Sequence, residues 1–148
     1  MKVLNALPNW VRAKKIFATS GAEERPDSTM VLVDTSVWIS HLRKGEPQFA
    51  MLLENAEVMV HPFIVGELAC GSLKNRKEIL SLLRALPMVL TISHEEVLYF
   101  IEQRSLAGSG MGYVDVHLLA AAQLENISIW TFDNILDRAA SKLHLSFS

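Results

Sequence analysis

Asp34, Glu67, Asp115 and Asp133 each stand where the neighbouring residues are apolar or small. A carboxylate in such surroundings needs a partner, and a hard divalent cation, Mg2+ or Mn2+, is the simplest partner that four of them could share. Without one, mutual repulsion would raise their pKa values and leave the cluster poorly ordered. Carboxylates around such an ion are a device for phosphoryl chemistry, because the cation activates water and offsets charge developing on phosphate, so the protein supplies no nucleophile. Ser36 and Thr131 are placed to support the acids. Thr131 lies two residues before Asp133, on the same face of an extended segment.

Other chemistries have weaker support. Cys70 is the chain's one cysteine, so it forms no intrachain disulfide, and no flanking basic residue lowers its pKa; its expected place is as a small buried residue. The five histidines, His41, His61, His94, His117 and His144, include no H-x-x-x-H pair for zinc. His117 lies two residues after Asp115, hence on another helix face, and reads as a packing or interface histidine. The glycine-rich stretch Gly108–Gly112 follows no strand and precedes no Lys-Ser/Thr, which argues against a nucleotide-binding P-loop and for a mobile loop beside the site. Arg43, Lys44, Lys74, Arg76 and Lys77 could line a rim for backbone phosphates.

The elements that must position these residues alternate. Short apolar strands are expected at Met30–Val33, Val58–Val60, Met88–Ile92, Ser128–Phe132 and His144–Phe147. Helices are expected at Ser36–Arg43 (capped by Thr35 or Ser36), Pro47–Asn55, Pro62–Gly71, Arg76–Leu86, Glu95–Leu106, Tyr113–Leu124 and Ile135–Lys142. Short β-branched strands separated by helices predict a parallel sheet covered on both faces. Asp34 and Asp133 then end strands at the carboxyl edge, where open α/β sheets place their functional crevice. Glu67 shares a helical face with Phe63, Ile64 and Cys70, and Asp115 with Leu118, Leu119 and Ala122, so both are expected to look toward the core. Asp34 and Asp133 could each also serve simply as a helix cap.

The 148 residues suffice for one domain, and 50% hydrophobic residues suffice for its core. No apolar run approaches the length of a membrane span and no signal-peptide pattern opens the chain, which predicts a soluble cytoplasmic protein. Net charge is −2, and residues 30–148 carry nine basic against thirteen acidic side chains, a balance of −4. This argues against a protein that holds nucleic acid by bulk electrostatics alone, though not against a nucleic-acid enzyme. Residues 1–29 contain a short amphipathic stretch broken by Pro8 and a polar run, TSGAEERPDST; they read as an extension, or a start assigned upstream of Met30, preceding a domain over 30–148.

The segments VLVDTSVWISHLRKG (Val31–Gly45), HPFIVGELACGSL (His61–Leu73), GYVDVHLLAAA (Gly112–Ala122) and IWTFDNIL (Ile129–Leu136) resemble, in order and spacing, those of PIN-domain proteins, and specifically VapC-like toxin ribonucleases. The resemblance implies a three-layer α/β/α sandwich around a parallel sheet and Mg2+- or Mn2+-dependent endonucleolytic cleavage of structured RNA such as tRNA or rRNA. It also implies a homodimer, inhibited by an antitoxin whose C-terminal segment enters the active-site groove. By motif, Asp34 and Asp115 are the metal ligands, with Glu67 and Asp133 completing the acidic site directly or through water. A PIN-domain nuclease of RNA processing or DNA, or a non-catalytic nucleic-acid-binding module on the same fold, are the alternatives.

Overall fold

Val31, Leu32 and Val33 are all buried and form strand β1 (Val31–Val33), which lies at the centre of a three-stranded sheet. The computed structural model describes residue 26 and residues 28–148, so the expected amphipathic stretch before Phe17 lies outside the described residues. β1 is flanked by β2 (Val58–Met59) and β3 (Ser128–Trp130) in the order β2-β1-β3. Both pairings are parallel, with Val31 opposite Val58 on one side and Ser128 on the other. All-parallel strands need crossovers, and helices supply them.

Chain order fixes where the sheet opens. From β1 the chain moves outward to β2, then to an isolated parallel bridge between Val60 and Met88. It returns on the far side of β1 as β3, followed by a second bridge between Ile129 and Ser146. The direction of progression therefore reverses between β1 and β3, which makes their carboxyl ends the crevice of the fold. Asp34 directly follows β1, and Thr131 directly follows β3.

Helices surround the sheet: α1 (Thr35–Lys44), α2 (Pro47–Glu54), α3 (Pro62–Cys70), α4 (Arg76–Ala85), α5 (His94–Gln103), α6 (Tyr113–Glu125) and α7 (Asn134–Lys142). The result is an α/β sandwich around a parallel sheet, as the spacing of apolar runs predicts. Helix α6 is the most deeply embedded, with every residue from Val116 to Ala122 buried, and it packs against β3, α5 and α7. Helix α3 packs against α1 and α4. Pro47 and Pro62 open α2 and α3 at a position where the missing amide costs nothing.

The expected edge strands shrink. Met88–Ile92 and His144–Phe147 contribute only the two single bridges, because pairing ends at the sheet margin. The Leu90 amide donates to the Glu125 side chain instead of a strand, and Met88 and Leu90 are partly exposed. Cys70, expected to be buried, is exposed at the end of α3.

Phe49 joins three elements of the core. It is fully buried, meets Trp38 edge-on at 4.6 Å between ring centroids, and lies 6.1 Å from Trp130 of β3. Phe49→Ala is expected to lower unfolding free energy by about 3–5 kcal/mol, with the urea midpoint falling and the slope unchanged; a loss within the range of surface substitutions would show that α2 does not anchor this core.

Candidate active site

Asp34 is positioned before any side chain acts. Its backbone amide donates to the Trp130 carbonyl at 2.9 Å, extending the β1–β3 ladder by one residue, and helix α1 begins at the next position. Asp34 occupies the N-cap position, yet its side chain makes no capping hydrogen bond. The expected cap at Thr35 or Ser36 is likewise not formed, because both residues are already inside the helix. Instead, Asp34 Oδ2 accepts from Ser36 Oγ at 2.7 Å and from Thr131 Oγ1 at 2.8 Å.

Each hydroxyl is aimed by a backbone amide. Ser36 Oγ accepts from Phe132 N at 3.0 Å, and Thr131 Oγ1 accepts from Asp133 N at 3.0 Å. With its acceptor side occupied, each hydroxyl points its proton at the carboxylate. The network ties the ends of β1 and β3 to the start of α1 and engages one Asp34 oxygen only. Among the described residues no donor reaches Oδ1. Asp34 is buried to 8% exposure, and this oxygen is left open to a further partner.

Asp115 is the third residue of α6, in its first turn rather than mid-helix, where the helix dipole favours a carboxylate. It is partly buried, and its pKa is raised. Burial is the largest cause, the negative charge of Asp34 the next, with Asp133 and Glu67 adding smaller contributions; the Gly112 backbone amide acts the other way by hydrogen bonding to the carboxylate. One side chain thus feels the charge of the three other acids, which lie on three other segments of the chain.

Their environments differ from one another. Asp133 is exposed, and its Oδ1 accepts from the Ile135 and Leu136 amides, both at 2.9 Å, so it caps α7 as well as facing the cluster. Glu67 is exposed on α3, which corrects the expectation that it faces the core. It borders a cleft of about 680 Å³ whose lining includes Ile39, Leu42, Arg43 and Lys74. Among the expected rim cations, Arg76 is committed to the Ala69 and Gly71 carbonyls at the end of α3, and Lys44 lies 3.9 Å from Glu46.

The histidines play no part in the acidic centre. His117 is buried, packed between the rings of Phe63 at 4.8 Å and Tyr113 at 4.6 Å. His61 is buried too, with its Nδ1 accepting from Phe63 N; burial, then the nearby His117, lowers its pKa to about 4. His61 is therefore neutral at pH 7, and burial, then the nearby His94, lowers the pKa of His117 as well.

Among the described residues, no group of three or more His, Cys, Asp or Glu side chains is arranged to hold a metal ion by itself. The donors that are present fit a different kind of ion. Mg2+ keeps several waters and takes one or two carboxylates, and Asp34 and Asp115 supply hard oxygens, with the outward Asp34 oxygen available. Zinc would require a closed nitrogen or sulfur set that this centre does not contain.

A model of the PIN domain family matches residues 31–142, a span that contains all four acids, Ser36 and Thr131. Ribonuclease VapC32 of Mycobacterium tuberculosis, in strain CDC 1551 / Oshkosh and in strain ATCC 25618 / H37Rv, is 41% identical over 114 residues, covering 76% of this chain and 92% of the relative.

The raised pKa of Asp115 has a consequence for stability. Its protonated form is favoured by folding, so ionisation costs the native state as pH rises through the folded pKa, and the cost vanishes below the unfolded value. Asp115→Asn in EDTA is therefore expected to melt higher than wild type at pH 7, with the gap closing as pH falls toward 3. Melting temperatures that differ equally at both pH values would refute the electrostatic origin.

Proposed function

This chain belongs to the PIN-domain family, and from that premise we propose that it is a VapC-type ribonuclease, the toxin half of a type II toxin–antitoxin pair. The PIN domain is taken as residues 30–148, with residues 1–29 as an extension. The observation that carries the proposal is the buried Asp34 carboxylate, held at one oxygen by Ser36 and Thr131 with its other oxygen left open by that network, and near enough to Asp115 for its charge to be felt there.

Asp34 and Asp115 are assigned as ligands of Mg2+ or Mn2+, being the two acids with the least access to water. When bound, the cation makes water a better nucleophile at neutral pH and offsets negative charge developing on the scissile phosphate. Ser36 and Thr131 hold Asp34 in one rotamer, so its Oδ1 direction is set before substrate arrives. Glu67 and Asp133, both exposed, orient the attacking water and receive its proton. Hydrolysis then forms a bond from water oxygen to phosphorus and breaks one ester bond of the RNA backbone, with the leaving oxygen taking up a proton.

The partners follow the same reading. The cleft beside Glu67 combines partly exposed Ile39 and Leu42 with Arg43 and Lys74, which suits an amphipathic, acidic antitoxin segment able to reach the acidic centre. Partly exposed Leu82, Met88 and Leu90 offer apolar surface for a homodimer. No helix among the described residues is long and apolar enough to cross a membrane, in keeping with action on cytoplasmic RNA.

Asp34→Asn and Asp115→Asn are each expected to reduce Mg2+-dependent RNA cleavage by more than about 100-fold while keeping the fold, whereas Thr131→Val and Ser36→Ala, which only aim a ligand, lose about 10–100-fold. Cleavage followed by gel, with circular dichroism as the control for folding, tests this. Near-wild-type cleavage by either aspartate variant would remove the assignment.

A further inference from the structure

A second cleft, of about 270 Å³, opens where the loop between α5 and α6 meets the far half of α7. Its lining includes Arg104, Arg138 and Lys142 with the hydroxyl residues Ser105 and Ser109, and no acidic residue contributes to it. Residues 30–148 carry nine basic side chains and a balance of −4, so three of the nine gather in one acid-free hollow. In a chain with this charge, a polyanion must be held by local cationic patches and not by the overall field.

Two of the three cationic groups are held in place. Arg104 Nε donates to Gln123 Oε1 at 3.2 Å and its guanidinium carbon lies 5.9 Å from the centre of the Phe100 ring; burial lowers its pKa. Arg138 Nε donates to the Asn134 carbonyl at 3.3 Å. Arg138 and Lys142 sit one turn apart on the same face of α7, where their charges can act together on one anion. Ser109 Oγ accepts from Met111 N at a long 3.4 Å, which leaves its proton available to a ligand.

Helix α7 links the cleft to the acidic centre, because its capping residue is Asp133 and its following turns line the cleft. Ile135 lines it, two residues after Asp133, and Ile135, Arg138, Ala139 and Lys142 follow one face of the helix for about 10 Å. The loop leading to Asp115 is pressed onto the same face. Gly110 has a φ of +88°, a conformation that favours glycine, and a Cβ there would stand 3.3 Å from Ile135 Cδ1, so the loop lies close against α7.

The geometry points to this cleft as a binding subsite for a backbone phosphate of the RNA, flanking the phosphate that is cut. The inference rests on the ribonuclease proposal and adds to it a path for the strand, from Asp133 along α7 to Lys142. Phosphate chemistry is what the site recognises, and its source is either the RNA strand or a free phosphate compound.

Binding distinguishes the two. In an Asp115→Asn background, a mixed-sequence single-stranded RNA oligonucleotide is titrated by fluorescence anisotropy over a range of KCl, with and without Lys142→Gln and Arg138→Gln/Lys142→Gln. The double change is expected to raise Kd about tenfold or more and to reduce the salt dependence of log K by about 0.7 for each phosphate no longer neutralised. Arg138→Lys should retain most of the affinity, and thermal melts check that the variants fold. Unchanged Kd and salt slope would overturn the subsite. Stabilisation of the wild type by inorganic phosphate, lost in the double variant while RNA affinity stays the same, would also overturn it and assign the cleft to a free phosphate ligand. Cleavage of total cellular RNA by the wild type with Mg2+ separates the failures. Cleavage with unaltered affinity in the charge variants removes the subsite alone, and no cleavage or binding by any form removes the ribonuclease proposal with it.

Discussion

Two hydroxyl protons directed at one oxygen of Asp34 organise the carboxyl edge of this sheet. Hydrogen bonds to an ionised carboxylate contribute about 1.5–3 kcal/mol each, and here both are aimed by backbone amides of the segment after β3. The pair therefore serves structure and chemistry together. It joins the end of the central strand to the end of its neighbour, and it fixes a carboxylate that, as an ordinary helix cap, would have turned back on α1. The rest of the site is built outward from that junction, including Asp133, whose amide holds the Thr131 hydroxyl.

Asp115 carries the opposing effect. Its place in the first turn of the buried helix α6 and the Gly112 amide favour its charge, while burial and three neighbouring carboxylates disfavour it, and the disfavouring effects win. A fold does not gain stability from such an arrangement. In the proposed ribonuclease the arrangement has a use, because the charge density that penalises the free protein is what would bind a divalent ion. The cost is limited by exposing Glu67 and Asp133, which stay solvated, and confining real burial to Asp34 and part of Asp115.

The sequence disclosed the acids and most helix boundaries because periodicity, proline and the capping positions are local signals. The parallel sheet was legible for the same reason. What it could not disclose was orientation. Glu67 shares a helical face with Ile64 by spacing, yet α3 is short and only Ile64 and Leu68 are buried on it, so the face turns to solvent at Glu67 and Cys70. The two outer strands failed because edge pairing depends on neighbours distant in the chain, such as Glu125 capturing the Leu90 amide. Among the expected rim cations, Arg43 and Lys74 line the cleft beside Glu67. Arg76 is consumed by the end of its neighbouring helix, while Arg104, Arg138 and Lys142, scattered over 39 positions, meet only in the folded chain.

The central claim is that Asp34 and Asp115 face one divalent ion. Carbon-detected NMR titration of the Asp115 carboxyl, repeated with and without millimolar Mg2+, tests it most directly. The account predicts a raised pKa in EDTA that falls in Asp34→Asn, and a marked drop on adding Mg2+ to the wild type but not to Asp34→Asn. An Asp115 titration that Mg2+ leaves unmoved in the wild type would contradict it.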